Sequence, residues 1–164
     1  SRGDWSSDVC SSDLLAFIII SIIMSLLFKN FKMVIISLIP NVIPLIIAGG
    51  IMGYFNIPLK PSSALVFSIV FGISVDYSIH FLAKFKNELQ TKSLEESIIN
   101  TINQTGRSMI FTSFILFFGF IIFAFSDFGG TIVLGVLTSI ILFVAMITNL
   151  TLLPSIILYF YKKN

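Results

Sequence analysis

Five runs of apolar residues alternate with short polar stretches along the 164-residue chain. They cover Leu14–Phe28, Met33–Phe55, Ser62–Ala83, Ser108–Phe125 and Thr131–Tyr159. Backbone polar groups find no water in hydrocarbon, so runs of this kind must be helices that satisfy their own hydrogen bonds. The pattern predicts an all-α, polytopic transmembrane helix bundle of five spans. The first run falls short of the roughly 20 residues that a span needs, as a helix cut on its N-terminal side would.

Two segments carry further patterning. In the connection after the third run, Ser93 followed by Glu96 forms a capping box, and Leu94, Ile98, Ile99 and Ile102 share one helical face. Gly106 suits the position just past a helix C-terminus. This predicts a short amphipathic helix over about 94–105, lying on the inner leaflet, with a solvated linker helix as the alternative. In the second run, Pro40 and Pro44 predict a kink, and Gly49-x-x-x-Gly53 would let another helix approach closely. The phenylalanines of Phe111–Phe125 read as lipid-facing or packing groups.

Composition supports the same class. The chain is 56% hydrophobic and 11% charged, with a mean hydropathy of +1.02, leaving too few polar groups to cover a soluble surface. A single cysteine, Cys10, excludes an internal disulfide. No clustered basic stripe of the kind nucleic acids need is present. The segment Ser1–Asp13 is polar and low in complexity, and resembles a translated sequencing-adapter tract. It would make a poor signal peptide, with Asp4 and Asp8 against a single Arg2. It is set aside as non-native, and Trp5 and Cys10 with it.

Charge also predicts orientation. Lys29, Lys32, Lys84, Lys86, Lys92, Arg107, Lys162 and Lys163 fall in alternate connections, whereas the others hold Lys60 and Asp127. The positive-inside rule places the 29–32, 84–107 and 162–164 segments in the cytoplasm, with a cytoplasmic C-terminus.

The third run holds Gly72-Ile73-Ser74-Val75-Asp76-Tyr77-Ser78-Ile79-His80. Asp76 lies roughly 5 Å from the middle of that span at 1.5 Å rise per residue. An unpaired carboxylate at such depth is costly, and acids placed there usually mark ion or proton pathways. His80 is at i+4 and Gly72 at i−4, on the same helix face. The small residue leaves room for a partner helix beside the carboxylate. The Tyr77 hydroxyl, about 100° away, can bond to a neighbouring helix. Thr112, Ser113, Thr148, Asn149 and Thr151 are polar groups that could complete the site. The structural alternatives are a neutral packing aspartate, an interfacial histidine, a packing tyrosine, and hydroxyls bonded back to their own helices. One Asp and one His on a single helix, with no HExxH, make neither a metal site nor a catalytic triad, so no enzyme, metal or cofactor is expected.

The stretch GISVDYSIHFLAKFKNEL resembles the proton-relay helix of the resistance-nodulation-division superfamily, in its MMPL-type branch. Thr105-Gly106-Arg107, Thr112-Ser113, Phe128-Gly129 and Leu152-Leu153-Pro154 follow in the order that family shows. The likeness covers about Leu14–Tyr161. It implies two similar halves of six helices, each with a large extracytoplasmic domain. This chain would supply helices two to six of the C-terminal half, a five-helix unit also called a sterol-sensing domain. Asp76 would be the proton-binding carboxylate, with Tyr77 and His80 in the relay, Gly72 at its helix contact, and Thr112, Ser113 and Asn149 around it. The absence of an intramembrane lysine argues against the multidrug-efflux branch.

The resemblance implies a proton-motive-force-driven exporter of lipids or other hydrophobic molecules in the bacterial cytoplasmic membrane. Its partners would be the other half with the extracytoplasmic domains, membrane lipid, protons and, as an option, further copies of itself, but no nucleic acid. The alternatives are a sterol-sensing-type lipid-sensing or scaffolding module and a protein-export accessory subunit.

Overall fold

The computed structural model describes residues 31–58 and 60–162, together with isolated helical positions at 15, 18, 19 and 22. The span expected at Leu14–Phe28 and the tract Ser1–Asp13 therefore lie largely or wholly outside the described residues. Among the described residues the chain is helical without strands, and four helices are long and apolar enough to cross a membrane.

Helix α1 (Phe31–Tyr54) runs away from the end of the bundle that carries Lys84, Lys86, Lys92 and Arg107, here called the basic end. It stops where Asn56 takes φ 51°, a left-handed conformation that asparagine tolerates better than most residues. The Ile57 amide then bonds the Met52 carbonyl at 2.9 Å, closing a Schellman-type cap. Helix α2 (Pro61–Glu88) returns to the basic end. Pro61 opens it, where a missing N–H costs nothing, and Ser63 Oγ accepts the Lys60 amide at 2.8 Å.

Helix α3 (Leu94–Thr101) begins at the Ser93–Glu96 capping box. It continues through a π-turn at Ile102–Gly106 into α4 (Arg107–Ile121) and a 3₁₀ turn at Ile122–Phe125. Gly106 does not end a helix: it is right-handed at φ −60°, ψ −40°, and lies buried against α5. A Cβ on it would meet Leu150 Cδ2 at 3.0 Å, so the glycine serves close packing rather than termination. The apolar stripe of α3 likewise turns towards the protein. Ile98 is in the core, with Leu94 and Ile102 packed beside it, and only Ile99 points outward. Helix α3 forms the first turns of a 32-residue helical stretch.

Helix α5 (Gly129–Lys162) is the central element, touching α1, α2, α3 and α4. Its crossing with the 3₁₀ turn leaves the least room at any glycine among the described residues. A Cβ at Gly135 would stand 2.6 Å from Phe123 Cβ and 2.7 Å from the Phe120 carbonyl oxygen. By contrast Gly49, Gly50 and Gly53 face open space, and no helix among the described residues uses the approach that their spacing allows. Helix α4 is the most peripheral of the described helices: within it only Met109 and Ser113 are buried, while Phe111, Phe114, Ile115 and Phe118 face outward.

Two apolar clusters make the core. One, towards the basic end, includes Met33, Ile36, Phe81, Phe85, Met146 and Leu153. The other, at the far end, includes Ala48, Met52, Val66, Val70, Leu137 and Ile141. Buried polar side chains lie at the level between them.

Replacing Gly135 with valine should disrupt the α5 crossing, because its neighbours include the Phe120 carbonyl and the Phe123 backbone, which cannot move aside. The expected cost is about 1–3 kcal/mol, typical of overpacking. It would be seen as a lower unfolding temperature of the detergent-purified protein, whereas Gly50→Ala should leave that temperature unchanged.

Candidate functional site

The polar residues of α2 divide between opposite sides of the helix, as its period of about 100° per residue requires. Ser74 and Ser78 face inward. Asp76 and His80 face outward, with Leu65, Gly72 and Ala83 on the same exposed face. Tyr77 sits at the border and is buried against α4.

On the outer face, His80 Nε2 lies 3.2 Å from Asp76 Oδ1, one turn apart. The two side chains remain 69% and 61% exposed, respectively. A Cβ at Gly72 would meet nothing within 4 Å, so the space beside the carboxylate is open. The described helices thus leave an acid and an imidazole uncovered in the middle of a span. Hydrocarbon cannot solvate such a pair, so protein or water must cover this face in the membrane.

The expected surrounding residues separate in space. The Tyr77 hydroxyl and Ser113 Oγ are 2.6 Å apart, a short bond between two buried groups. It links α2 to α4 although the two helices make little direct packing. Thr112 is exposed and donates to the Ser108 carbonyl at 3.0 Å. Thr148 and Thr151 donate to Val144 and Ile147 carbonyls in the same way. Asn149 joins a different group, on the side of α2 away from Asp76.

That group contains three residues that sequence reasoning did not single out: Asn41, Ser74 and Ser78. With Asn149 they form a fully buried layer joining α1, α2 and α5. Ser74 Oγ donates to Asn41 Oδ1 at 2.7 Å and accepts from Asn149 Nδ2 at 3.0 Å. Ser78 Oγ lies 2.7 Å from Asn149 Oδ1 and 3.0 Å from Asn41 Oδ1. Both amides are anchored by a backbone carbonyl, which can only accept: Asn41 Nδ2 donates to Ser37 at 2.8 Å and Asn149 Nδ2 to Ala145 at 3.0 Å. Asn41 stands between Pro40 and Pro44, where α1 lacks two backbone donors. A carboxamide in an apolar run flanked by prolines was the available signal.

At the basic end, Glu88 is held between Lys84 Nζ at 2.9 Å and Lys92 Nζ at 2.6 Å, fixing the turn from α2 to α3. Among the described residues no cluster of His, Cys, Asp and Glu could hold a metal ion.

Three similarities accompany this geometry. The sequence model of the MMPL family matches residues 4–163. A membrane protein of Methanocaldococcus jannaschii is 28% identical over 139 residues, covering 84% of this chain and 36% of its own length. The patched homolog 1 protein of Caenorhabditis elegans is 26% identical over 116 residues, 70% of this chain and 8% of that one. The chain thus spans about a third or less of the curated relatives it matches. No solved structure matches it significantly.

Replacing Asn41 with leucine should leave Ser74 without its acceptor and one bundle contact unmade. The expected loss is about 1–3 kcal/mol, the cost of an unsatisfied buried group, and a thermal scan of the purified full-length protein measures it. Thr112→Val, which removes only a back-bonded hydroxyl, should change little.

Proposed function

The chain belongs to the MMPL family, and on that premise we propose that it is the membrane unit of a proton-driven exporter of lipids or other hydrophobic molecules. Asp76 binds the proton in this reading. The observation that carries it is the Asp76–His80 pair at 3.2 Å on the uncovered face of α2. A protein that keeps two ionisable groups at this depth gains nothing in stability from them, so they are kept for what they do.

The mechanism follows from what each group offers. Ionised Asp76 is an acceptor for the Nε2–H of a neutral His80. When the carboxyl takes up a proton, the site loses its one negative charge and the neutral pair is tolerated by an apolar neighbour. A helix packed over the Gly72–Asp76–His80 face therefore sees two different surfaces in the two charge states. The change in preferred packing is the source of movement, transmitted as a rigid-body shift between membrane units and onward to extracytoplasmic domains. Tyr77, held by Ser113, fixes the rotation of α2 about its axis and keeps its hydroxyl close to the relay.

The partner over this face is the second half of the same transporter. The basic connections lie in the cytoplasm, the 56–61 and 126–130 turns outside, and the membrane is the bacterial cytoplasmic one.

A second reading, a lipid-sensing module of sterol-sensing type, is favoured by the similarity to a patched homologue. It differs in needing no proton gradient.

In cells producing the full-length protein, Asp76→Asn should abolish energy-dependent extrusion of a hydrophobic fluorescent dye while the protein still inserts and accumulates. A fall of about tenfold or more is expected for a group whose charge cycle is obligatory. Extrusion that persists in Asp76→Asn and still collapses with a protonophore would refute the relay role. Lipid binding that is indifferent to both substitution and protonophore would favour the sensing module.

A further inference from the structure

In the inward-facing layer one hydroxyl proton is shared between acceptors on two different helices. Ser78 carries a single hydroxyl proton, yet two amide oxygens point at it, Asn149 Oδ1 at 2.7 Å on α5 and Asn41 Oδ1 at 3.0 Å on α1. Neither amide can turn round, because each nitrogen is committed to a backbone carbonyl of its own helix. The hydroxyl must therefore choose between the two helices. The choice is unequal: Asn41 Oδ1 keeps Ser74 as a donor in either case, while Ser78 is the hydroxyl that serves Asn149 Oδ1. The resting state bonds α2 to α5.

We infer that Ser78 is a two-position latch, bonding α2 to Asn149 of α5 in one state of the transporter and to Asn41 of α1 in the other. The inference rests on reading Asp76 as the carboxylate whose charge changes. Asp76 and Ser78 are two residues apart and so lie about 160° from each other around the helix. A stiff α2 pushed on its outer face by a charge change at Asp76 must move its inner face too. The displacement needed is small, since the two acceptors already lie within hydrogen-bonding distance of the same oxygen. Asn41 is placed to follow, because α1 lacks the N–H groups of Pro40 and Pro44 and bends most readily there. The titratable neighbours of Asp76 are His80 and Tyr77 on its own helix. The other helices carry charge only at their basic ends, at Lys32 of α1, Glu95 and Glu96 of α3, Arg107 of α4 and Lys162 of α5. Nothing on α1, α4 or α5 competes for the carboxylate at its depth.

The far ends of α2 and α5 supply a reporter. A Cβ at Gly130 would lie 3.5 Å from Ser62 Cβ, within the range of about 3.5–4.5 Å that a disulfide spans. In the full-length protein, freed of other cysteines, Ser62→Cys with Gly130→Cys should oxidise rapidly. Adding Ser78→Ala should slow the cross-link about threefold or more by removing one of the two bonds that join α2 to α5 in this layer, the Asn149–Ser74 bond remaining, and Ser78→Thr should restore the original rate. Asp76→Asn should slow it too, and the double variant Asp76→Asn/Ser78→Ala no further, because both act on one movement. An unchanged rate in Ser78→Ala overturns the latch. So does slowing by Ser78→Ala that adds to that of Asp76→Asn, or an unchanged rate in Asp76→Asn alone. If Ser78→Ala does not fold, Asn149→Ala removes the same bond together with that to Ser74 and must slow oxidation at least as much. Dye extrusion by Asp76→Asn is read separately and bears on the relay alone.

Discussion

Inside a bilayer there is no water to complete a hydrogen bond, so every polar side chain must be bonded, capped by its own helix, or covered by something else. Most polar groups described above answer that demand in one of the three ways; Thr138 Oγ1 on α5, buried without a partner among the described residues, does not. Thr112, Thr148 and Thr151 turn back onto carbonyls one turn earlier and commit to nothing beyond their helix. Asn41, Ser74, Ser78 and Asn149 bond to one another and thereby tie three helices together at one depth. Asp76 and His80 do neither; they bond along the outer face of α2 and leave most of their surface to a neighbour the described helices do not provide. The first two solutions are passive and structural; the third is the one for which a functional role is proposed above.

The structural solution explains how the bundle is layered. Apolar side chains gain no hydrophobic stabilisation in a medium as apolar as themselves, so packing is left to share with hydrogen bonds the choice of which helix meets which. The polar layer contributes to that choice, because its bonds are directional and a shift of a few ångströms breaks them. The two apolar clusters on either side then fill space around a register set elsewhere. Gly106 and Gly135 complete the arrangement by letting α5 come close to the α3–α4 stretch at two points.

Much of this was legible in the sequence. Long apolar runs fix the helices, since hydrocarbon permits little else, and the Ser93–Glu96 pair marks the start of α3. The spacing of Gly72, Asp76 and His80 correctly places them on one face. What spacing cannot say is which way that face points, because both faces of a membrane helix are apolar enough to be buried or exposed. Ser74 and Ser78 resemble any other membrane serines until Asn41, more than thirty residues away, is brought to them. Gly106 misleads for a related reason: the same residue suits a helix end and a tight crossing, and only the proximity of Leu150 decides.

The π-turn at Ile102–Gly106 has a consequence for how this sequence can change over time. A π-turn is an α-helix with one residue too many, and everything after it is rotated by about 100° relative to an uninterrupted helix. Ser113 meets Tyr77 only in that rotated frame. A one-residue deletion between 102 and 106 would spare every side chain of α4 and still swing the serine out of reach. The insertion and the hydroxyl form a single heritable unit, and lineages that discard one have no reason to retain the other.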